Sequence, residues 1–390
     1  MNIAIACNAF KQSGGLERYA LDLVRGLNRA NVRPIVFARS FDEALLSTHD
    51  VAAVPINVRW LPGKLRDQFF ARRVAALRRQ WHVDLLIGVN RTDCAEIAIC
   101  GGTHRGFLQS VDREPTWSDR RQIALEASQY AHAQTVVAHS RMMANELRDL
   151  YHVPEDKIKV LYPPVDQANF KTLDLASGIA ERRAWRAQHG IGEDTVVFLF
   201  PSSSHHRKGY ARLAAFFSTT TLPVVLAVVG RPIPHADTGG AIRYLGYASD
   251  IAQAYRAADV TILASRYEPF GLVGVESLLC GTPVVLDGRI ACTEVLPPAD
   301  CYVFDGNRSD DLARAVTAAA ERCLARRQRT AAGNVAIDSS LAHAAESLPV
   351  GYDPNIDHHV AALLSLIRPR RHTPVGSHDD ATAFRPRATA

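Results

Sequence analysis

Short runs of valine, isoleucine and leucine, each bounded by Gly, Pro, Ser or Asp, return along this chain with amphipathic stretches between them, and that rhythm leaves few architectures open. Asn2 to Cys7 reads as a buried strand and Asn8 to Gly15 as a glycine-containing loop. An amphipathic helix follows to Arg29, then a strand at Pro34 to Ala38. The alternation continues through Leu85 to Val89, Ile97 to Cys100, Thr135 to Ala138 and a helix near Met142 to Leu150. Runs that are apolar throughout, rather than at every second residue, belong to strands covered on both faces, as in a parallel sheet between helix layers. Lys159 to Asp166 (KVLYPPVD) breaks the series with adjacent prolines, which continue neither a helix nor a central strand. A second series follows: Thr195 to Phe200, Pro223 to Val229, Arg243 to Leu245, a helix from Ile251 to Ala257, Val260 to Ala264, and Val284 to Leu286. The expected fold is α/β, two doubly wound domains in tandem at residues 1–166 and 167–355. A helix, read from His358 to Ile367, occupies 356–367. The remaining 368–390, rich in Pro, Arg and Asp and without periodicity, is expected to be a disordered tail.

The length of 390 residues, with 47% hydrophobic content, suffices for two separate cores. Seven cysteines, odd in number, scattered and without a C-x-x-C pair, point to reduced thiols in a cytosolic protein and to neither a disulfide framework nor a zinc site. Met1 leads into MNIAIAC with no basic n-region and no h-region, so no export signal is expected. No apolar run approaches the roughly 20 residues that span a bilayer. Charge is unevenly spread. Between Lys64 and Trp81, Lys64, Arg66, Arg72, Arg73, Arg78 and Arg79 face Asp67 alone, an excess equal to the +5 of the whole chain. Phe70, Val74, Leu77 and Trp81 recur there at helical spacing. Two readings stand: a surface helix with a solvated basic face, or a basic amphipathic helix lying on an anionic membrane. Nucleic acid is disfavoured, since no binding motif accompanies the charge.

The densest chemical signal is EPFGLVGVE, which carries Glu268 and Glu276 and runs into SLLCGTPVV. Glu276 lies among Leu272, Val273, Val275, Leu278 and Leu279, a pattern that buries it, and an unpaired carboxylate there is costly enough to demand a partner. Glu268 sits in the Pro-Phe-Gly turn before the same helix. Together they can hold a polyhydroxyl ligand at two points while the helix N-terminus faces an anion. After the strand ending at Phe200, the loop from Ser202 to Gly209 brings Arg207 and Lys208 to a strand's carboxyl end, where open α/β sheets bind ligands and two cations can neutralise a diphosphate. Gly14 and Gly15 open the first helix and allow close backbone approach to phosphate. Neither G-x-G-x-x-G nor a Walker motif occurs there, against NAD and ATP-hydrolase readings. His104, among Gly101, Gly102 and Gly106, follows another strand end and is read equally as ligand contact or structural histidine. Asp93 follows Leu85 to Val89 and is either a ligand contact or a turn residue. No D-x-D pair and no clustered ligand set suggests a divalent metal, and no G-x-S-x-G elbow is present.

Taken together, Gly14-Gly15-Leu-Glu-Arg, Val-Leu-Tyr-Pro-Pro-Val-Asp at 160–166, Arg-Lys-Gly at 207–209 and Glu268 through Val285 resemble family 4 glycosyltransferases of the GT-B fold, closest to enzymes of bacterial lipopolysaccharide core or surface-glycan synthesis. The resemblance implies two tandem Rossmann-like domains facing across a cleft, with acceptor on the first and nucleotide sugar on the second. It implies that Glu276 holds the ribose. Glu268, with backbone N–H groups of Phe270, Gly271 and Leu272, would bind the transferred sugar, and Arg207 and Lys208 the diphosphate. Gly15 would approach from the other domain, His104 would stand near the reacting centre, and Asp93 would lie on the acceptor side. Transfer with retention and without a metal or other cofactor is implied, on a cytoplasmic protein that is peripheral to the membrane if the Lys64 to Trp81 helix docks there. Two departures stand out. Ser202, Ser203 and Ser204 occupy the stretch where the family often has an arginine, a role Arg207 would take over, and Pro164-Val165 replace the usual Asn-Gly. Two other functions remain open: an inactive relative that binds a nucleotide sugar or glycan, and a sugar-nucleotide epimerase on the same scaffold.

Overall fold

The computed structural model describes residues 1–12, 14–234, 240–308, 310–331 and 349–367. The first sheet holds β1 (Ile3–Cys7), β2 (Ile35–Ala38), β3 (Ala52–Pro55), β4 (Leu85–Gly88), β5 (Ile97–Cys100), β6 (Thr135–Ala138) and β7 (Ile158–Val160). All pair in parallel in the order β3-β2-β1-β4-β5-β6-β7. The second holds β8 (Val196–Ser202), β9 (Val224–Gly230), β10 (Ile242–Tyr244), β11 (Val260–Leu263), β12 (Val284–Asp287) and β13 (Cys301–Phe304), parallel in the order β10-β9-β8-β11-β12-β13. Strand order reverses beside β1 in one sheet and beside β8 in the other. In open α/β sheets the ligand crevice lies outside the carboxyl ends of the strands at such a reversal.

Helices α1 (Gly15–Arg29), α2 (Glu43–Thr48), α3 (Gly63–Gln80), α4 (His104–Ser110), α5 (Trp117–His132) and α6 (Arg141–Tyr151) belong to the first domain. Helices α7 (Leu175–Gln188), α8 (Tyr210–Phe217), α9 (Ile251–Ala257), α10 (Leu272–Leu279) and α11 (Asp311–Ala331) belong to the second. The continuous apolar pattern has its expected result: every residue of β1, β4, β5, β8, β11 and β12 is buried. The two sheets with their helices are the expected pair of Rossmann-like domains. All seven cysteines are free thiols. Burial raises Cys7 and Cys100 to about 12, which keeps them inert as nucleophiles.

Two features differ from the sequence reading. Lys159 and Val160 do not break the first sheet but form its last edge strand, β7, and the break comes at Pro163 and Pro164. The late helix α12 (Ile356–Ser365) starts earlier than His358, at an Asn355 cap whose Oδ1 accepts from the backbone N–H of Asp357 (2.8 Å) and His358 (3.2 Å). It packs on the first domain, not the second: Val360 and Leu363 join the core around β1 and α1, and the Tyr19 hydroxyl meets His359 Nε2 at 2.9 Å. The chain thus crosses between domains twice, and the crossings are bonded together by Val165 N–H to Pro354 O (2.9 Å) and the Tyr352 hydroxyl to Pro163 O (2.9 Å). The expected tail, 368–390, lies outside the described residues.

Candidate active site

Three loops at strand carboxyl ends meet between the domains. The first follows β1 and ends at Gly14, which precedes α1. The second follows β8 and ends at Gly209, whose φ of 76° only glycine adopts readily and whose missing Cβ would stand 2.1 Å from Ala264 O. That contact seats Lys208 against the end of β11. The third follows β11 and ends at Gly271, with φ of 93°, at the start of α10. It is pinned from below by Ala291 N–H to Glu268 O (3.1 Å) and Cys292 N–H to Phe270 O (2.6 Å), and from the first domain by the Ser140 hydroxyl to Pro269 O (2.7 Å).

The cavity between these loops encloses about 270 Å³. Gly15, Arg207, Lys208, Glu268, Phe270, Gly271, Leu272 and Glu276 all line it, so eight of the ten residues singled out from sequence come together. His104 and Asp93 are not among its lining residues. His104 Nε2 instead lies 2.6 Å from Asp119 Oδ1 on α5. The Thr116 hydroxyl, followed by His104, holds the Asp119 carboxyl well below the usual carboxylate range. Asp93 is half-buried in the loop after β4. The histidine that does line the cavity is His139.

The partner that Glu276 demands is now visible. Glu276 is 4% exposed, and its carboxylate accepts from Arg18 Nη1 across the cleft (2.7 Å) and from the Tyr255 hydroxyl (3.0 Å). The Arg18 guanidinium also stacks on Phe170, 4.8 Å from the ring centroid. Burial opposes the Arg18 charge, but Glu276 and Asp22 keep its pKa above the ordinary value. Glu268 is matched in the same way by Arg207 Nη1 at 2.6 Å. Lys208 donates from Nζ to Pro201 O (2.9 Å), and burial lowers its pKa against the pull of Glu268. The site therefore holds two carboxylates and three cations from both domains, with two arginine–carboxylate pairs. Arg18, Tyr255 and His139 were not assigned from sequence. Arg18 lies within the quoted Gly14-Gly15 motif, but the 258 positions that separate it from Glu276 leave no local signal.

One prediction concerns Asp22, midway along α1. Burial raises the Asp22 carboxyl to about 6 from 3.8, against the pull of Arg18 and Arg25. A folded value above the unfolded one means that its stability contribution is present below pH 3.8 and is lost as pH rises through 6. Asp22→Asn should therefore raise stability at pH 8 by about 2 kcal/mol and leave it unchanged at pH 3.5, measured by urea unfolding. Equal midpoints at pH 8 would show that the arginines fully offset the burial.

Twin parallel domains with a cationic, carboxylate-bearing cleft at both switch points define a GT-B glycosyltransferase. Family models agree: residues 13–169 match Glycosyltransferase Family 4 and residues 181–334 match Glycosyl transferases group 1. The chain belongs to the family 4 glycosyltransferases. It is 50% identical over 367 residues to a probable transglycosylase of Burkholderia thailandensis, covering 94% of this chain and 96% of the relative. Among solved structures it is similar to WaaG, a glycosyltransferase involved in lipopolysaccharide biosynthesis, with a TM-score of 0.69 and 17% identity over 88% of this chain and 98% of that one. It is also similar to HepE of Anabaena in complex with UDP and glucose, with a TM-score of 0.70 and 19% identity over 94% of this chain and 100% of that one. At those identities the structures establish the fold.

Proposed function

We propose that this glycosyltransferase moves a sugar, with retention and without a metal, from a nucleotide sugar to a lipid-anchored glycan in lipopolysaccharide core or surface-glycan synthesis. The observation that carries the reading is the meeting of Glu268, Glu276, Lys208, Arg207 and Arg18 in one interdomain cavity. In the free protein each carboxylate is held by an arginine. A diphosphate attracts both arginines and Lys208, and this leaves Glu276 for the ribose hydroxyls and Glu268 for the transferred sugar. The complex of HepE with UDP and glucose supports a donor of this kind.

In the reaction the bond from the anomeric carbon to the phosphate oxygen breaks as the bond to the acceptor oxygen forms on the same face. The acceptor hydroxyl's proton passes to the leaving phosphate. Fixed cations stabilise the charge that develops there more in the transition state than before it. No side-chain nucleophile takes part. The test is to incubate the protein in EDTA with UDP-, GDP- and ADP-linked sugars, with and without delipidated core oligosaccharide, and to follow released nucleotide and the anomeric configuration of the product. Acceptor-dependent release with retained configuration is expected. Intact nucleotide binding with no release from any donor would favour the inactive-relative reading.

The membrane part of the proposal rests on the first domain. Among the described residues no helix is long and apolar enough to cross a membrane. On α3, Arg72, Arg73 and Arg79 are exposed, whereas Arg78 is occupied by Glu96 (2.7 Å). Trp60 precedes this helix at 66% exposure, and Trp117 opens α5 at 58%. Exposed aromatics and exposed arginines on one domain suit the headgroup layer of an anionic membrane on the cytoplasmic side. Reversing Arg72, Arg73 and Arg79 to glutamate should remove co-sedimentation with phosphatidylglycerol vesicles. Undiminished binding would sink the membrane part of the reading and leave the transfer chemistry untouched.

A further inference from the structure

His139 directly follows β6 in the sequence VVAHS and is 4% exposed, yet it lines the cavity with Glu268 and Lys208. Its Nε2 is sealed from solvent and has no hydrogen-bond partner among the described residues. The ring packs edge-on against Tyr19, with centroids 4.5 Å apart, and the Tyr19 hydroxyl is turned to His359 instead. Burial, helped by His359, lowers the His139 pKa to about 3, so the imidazole is neutral and carries one N–H. A buried N–H without an acceptor is rarer in proteins than an acceptor without a donor, and Nε2 is the sealed nitrogen. The proton therefore belongs on Nδ1.

Gly101 leaves room beside Nδ1. A Cβ at that position would stand 2.6 Å from Leu16 Cδ2 and 3.2 Å from His139 Nδ1, so its absence lets both side chains sit there, and all three residues line the cavity. Gly101 is not among the glycines with positive φ, so its missing side chain provides space and not backbone freedom. The next residue ties this segment to the loop that carries Glu268: Ser140 donates its hydroxyl to Pro269 O (2.7 Å).

We propose that His139 contacts the ligand, with Nδ1–H donating a hydrogen bond to an oxygen of the glycosyl group that Glu268 holds. The inference rests on the nucleotide-sugar reading above and adds a group, from the first domain, that distinguishes a nucleotide sugar from the bare nucleotide. Asparagine carries an N–H donor at the place of Nδ1, whereas glutamine carries one at the place of Nε2 and leucine carries none. H139N, H139Q and H139L would be titrated calorimetrically with UDP and GDP and with UDP-glucose, UDP-galactose and GDP-mannose. For the sugar nucleotide that the unchanged protein binds most tightly, affinity should fall roughly five- to tenfold in H139Q and H139L and by less than about twofold in H139N, as for one lost hydrogen bond. Affinity for the matching bare nucleotide should not move. Equal affinities in all variants, or equal losses with and without the sugar, would overturn the proposal. If the unchanged protein binds the bare nucleotide and none of the sugar nucleotides, the donor reading fails and the proposal with it. Nitrogen NMR of the ligand-free protein gives a check independent of any donor: His139 should show the Nδ1-protonated tautomer, and the Nε2-protonated pattern would overturn the assignment.

Discussion

Asp259→Ala is expected to yield a protein that does not fold. Asp259 Oδ1 accepts from Arg182 Nη2 (2.6 Å) and Arg327 Nη2 (2.8 Å), and Oδ2 from Arg186 Nη1 (3.3 Å) and the Val197 backbone N–H (2.7 Å). One carboxylate thus joins α7, α11, β8 and the entry to β11. Arg186 is 0% exposed, so its charge has no route to water when Asp259 is gone. Breaking a buried pair costs about 3–5 kcal/mol, and here three guanidiniums lose one partner together. That loss approaches the whole stability of a typical domain, roughly 5–15 kcal/mol. Burial pushes the Asp259 carboxyl up, but the three arginines pull it well below the ordinary range. Its stabilisation is therefore complete above about pH 4 and is lost as pH falls through the depressed value. Asp259→Asn keeps the shape and should fail too. Soluble Asp259→Asn protein with an unaltered denaturation midpoint would show that hydrogen bonding, not charge, is what the arginines need.

Lys208→Met should lower kcat about a hundred- to a thousandfold, the usual loss when one fixed electrostatic stabiliser of a developing charge is removed. The methionine keeps the volume of the lysine stem, and the buried ammonium it removes is one that burial already disfavours, so the fold should survive. Lys208 is held by Pro201 O near the end of β8, which on the proposed mechanism fixes it beside the leaving diphosphate. Initial rates of nucleotide release against donor concentration decide the matter. A raised KM with unchanged kcat would mean that Lys208 only anchors the ground state.

How far the sequence could be read follows from where its signals are local. The central strands β1, β5, β6, β8, β9, β11 and β12 are continuous apolar runs, and each was legible. The strands β3, β7 and β13 were not: they are short, Pro55 closes β3 and Lys159 interrupts β7, while β13 is an apolar run that the reading passed over. Helices α5 and α7 escaped for a related reason: they bury Asp119 and Glu126, and Arg182 and Arg186, so the charged residues that mark a solvent face stand on the inner one. In the site, the buried setting of Glu276 announced that a partner exists, but nothing near it in sequence could name Arg18. The two histidines show the same limit. His104 and His139 both follow a strand end, and the glycines around His104 drew attention to it while His139 went unremarked. In the fold, one of those glycines, Gly101, packs beside Leu16 and His139.

The return of α12 to the first domain bears on how such enzymes can be recombined. A first domain cut as residues 1–166 would lack Val360 and Leu363, leave α1 uncovered, and deprive Tyr19 of His359. A chimaera that exchanges first domains between relatives must carry this last helix along with them. The two domains are joined here not as two beads on a string but as a clasp, in which the chain's late segment belongs to the partner it left first.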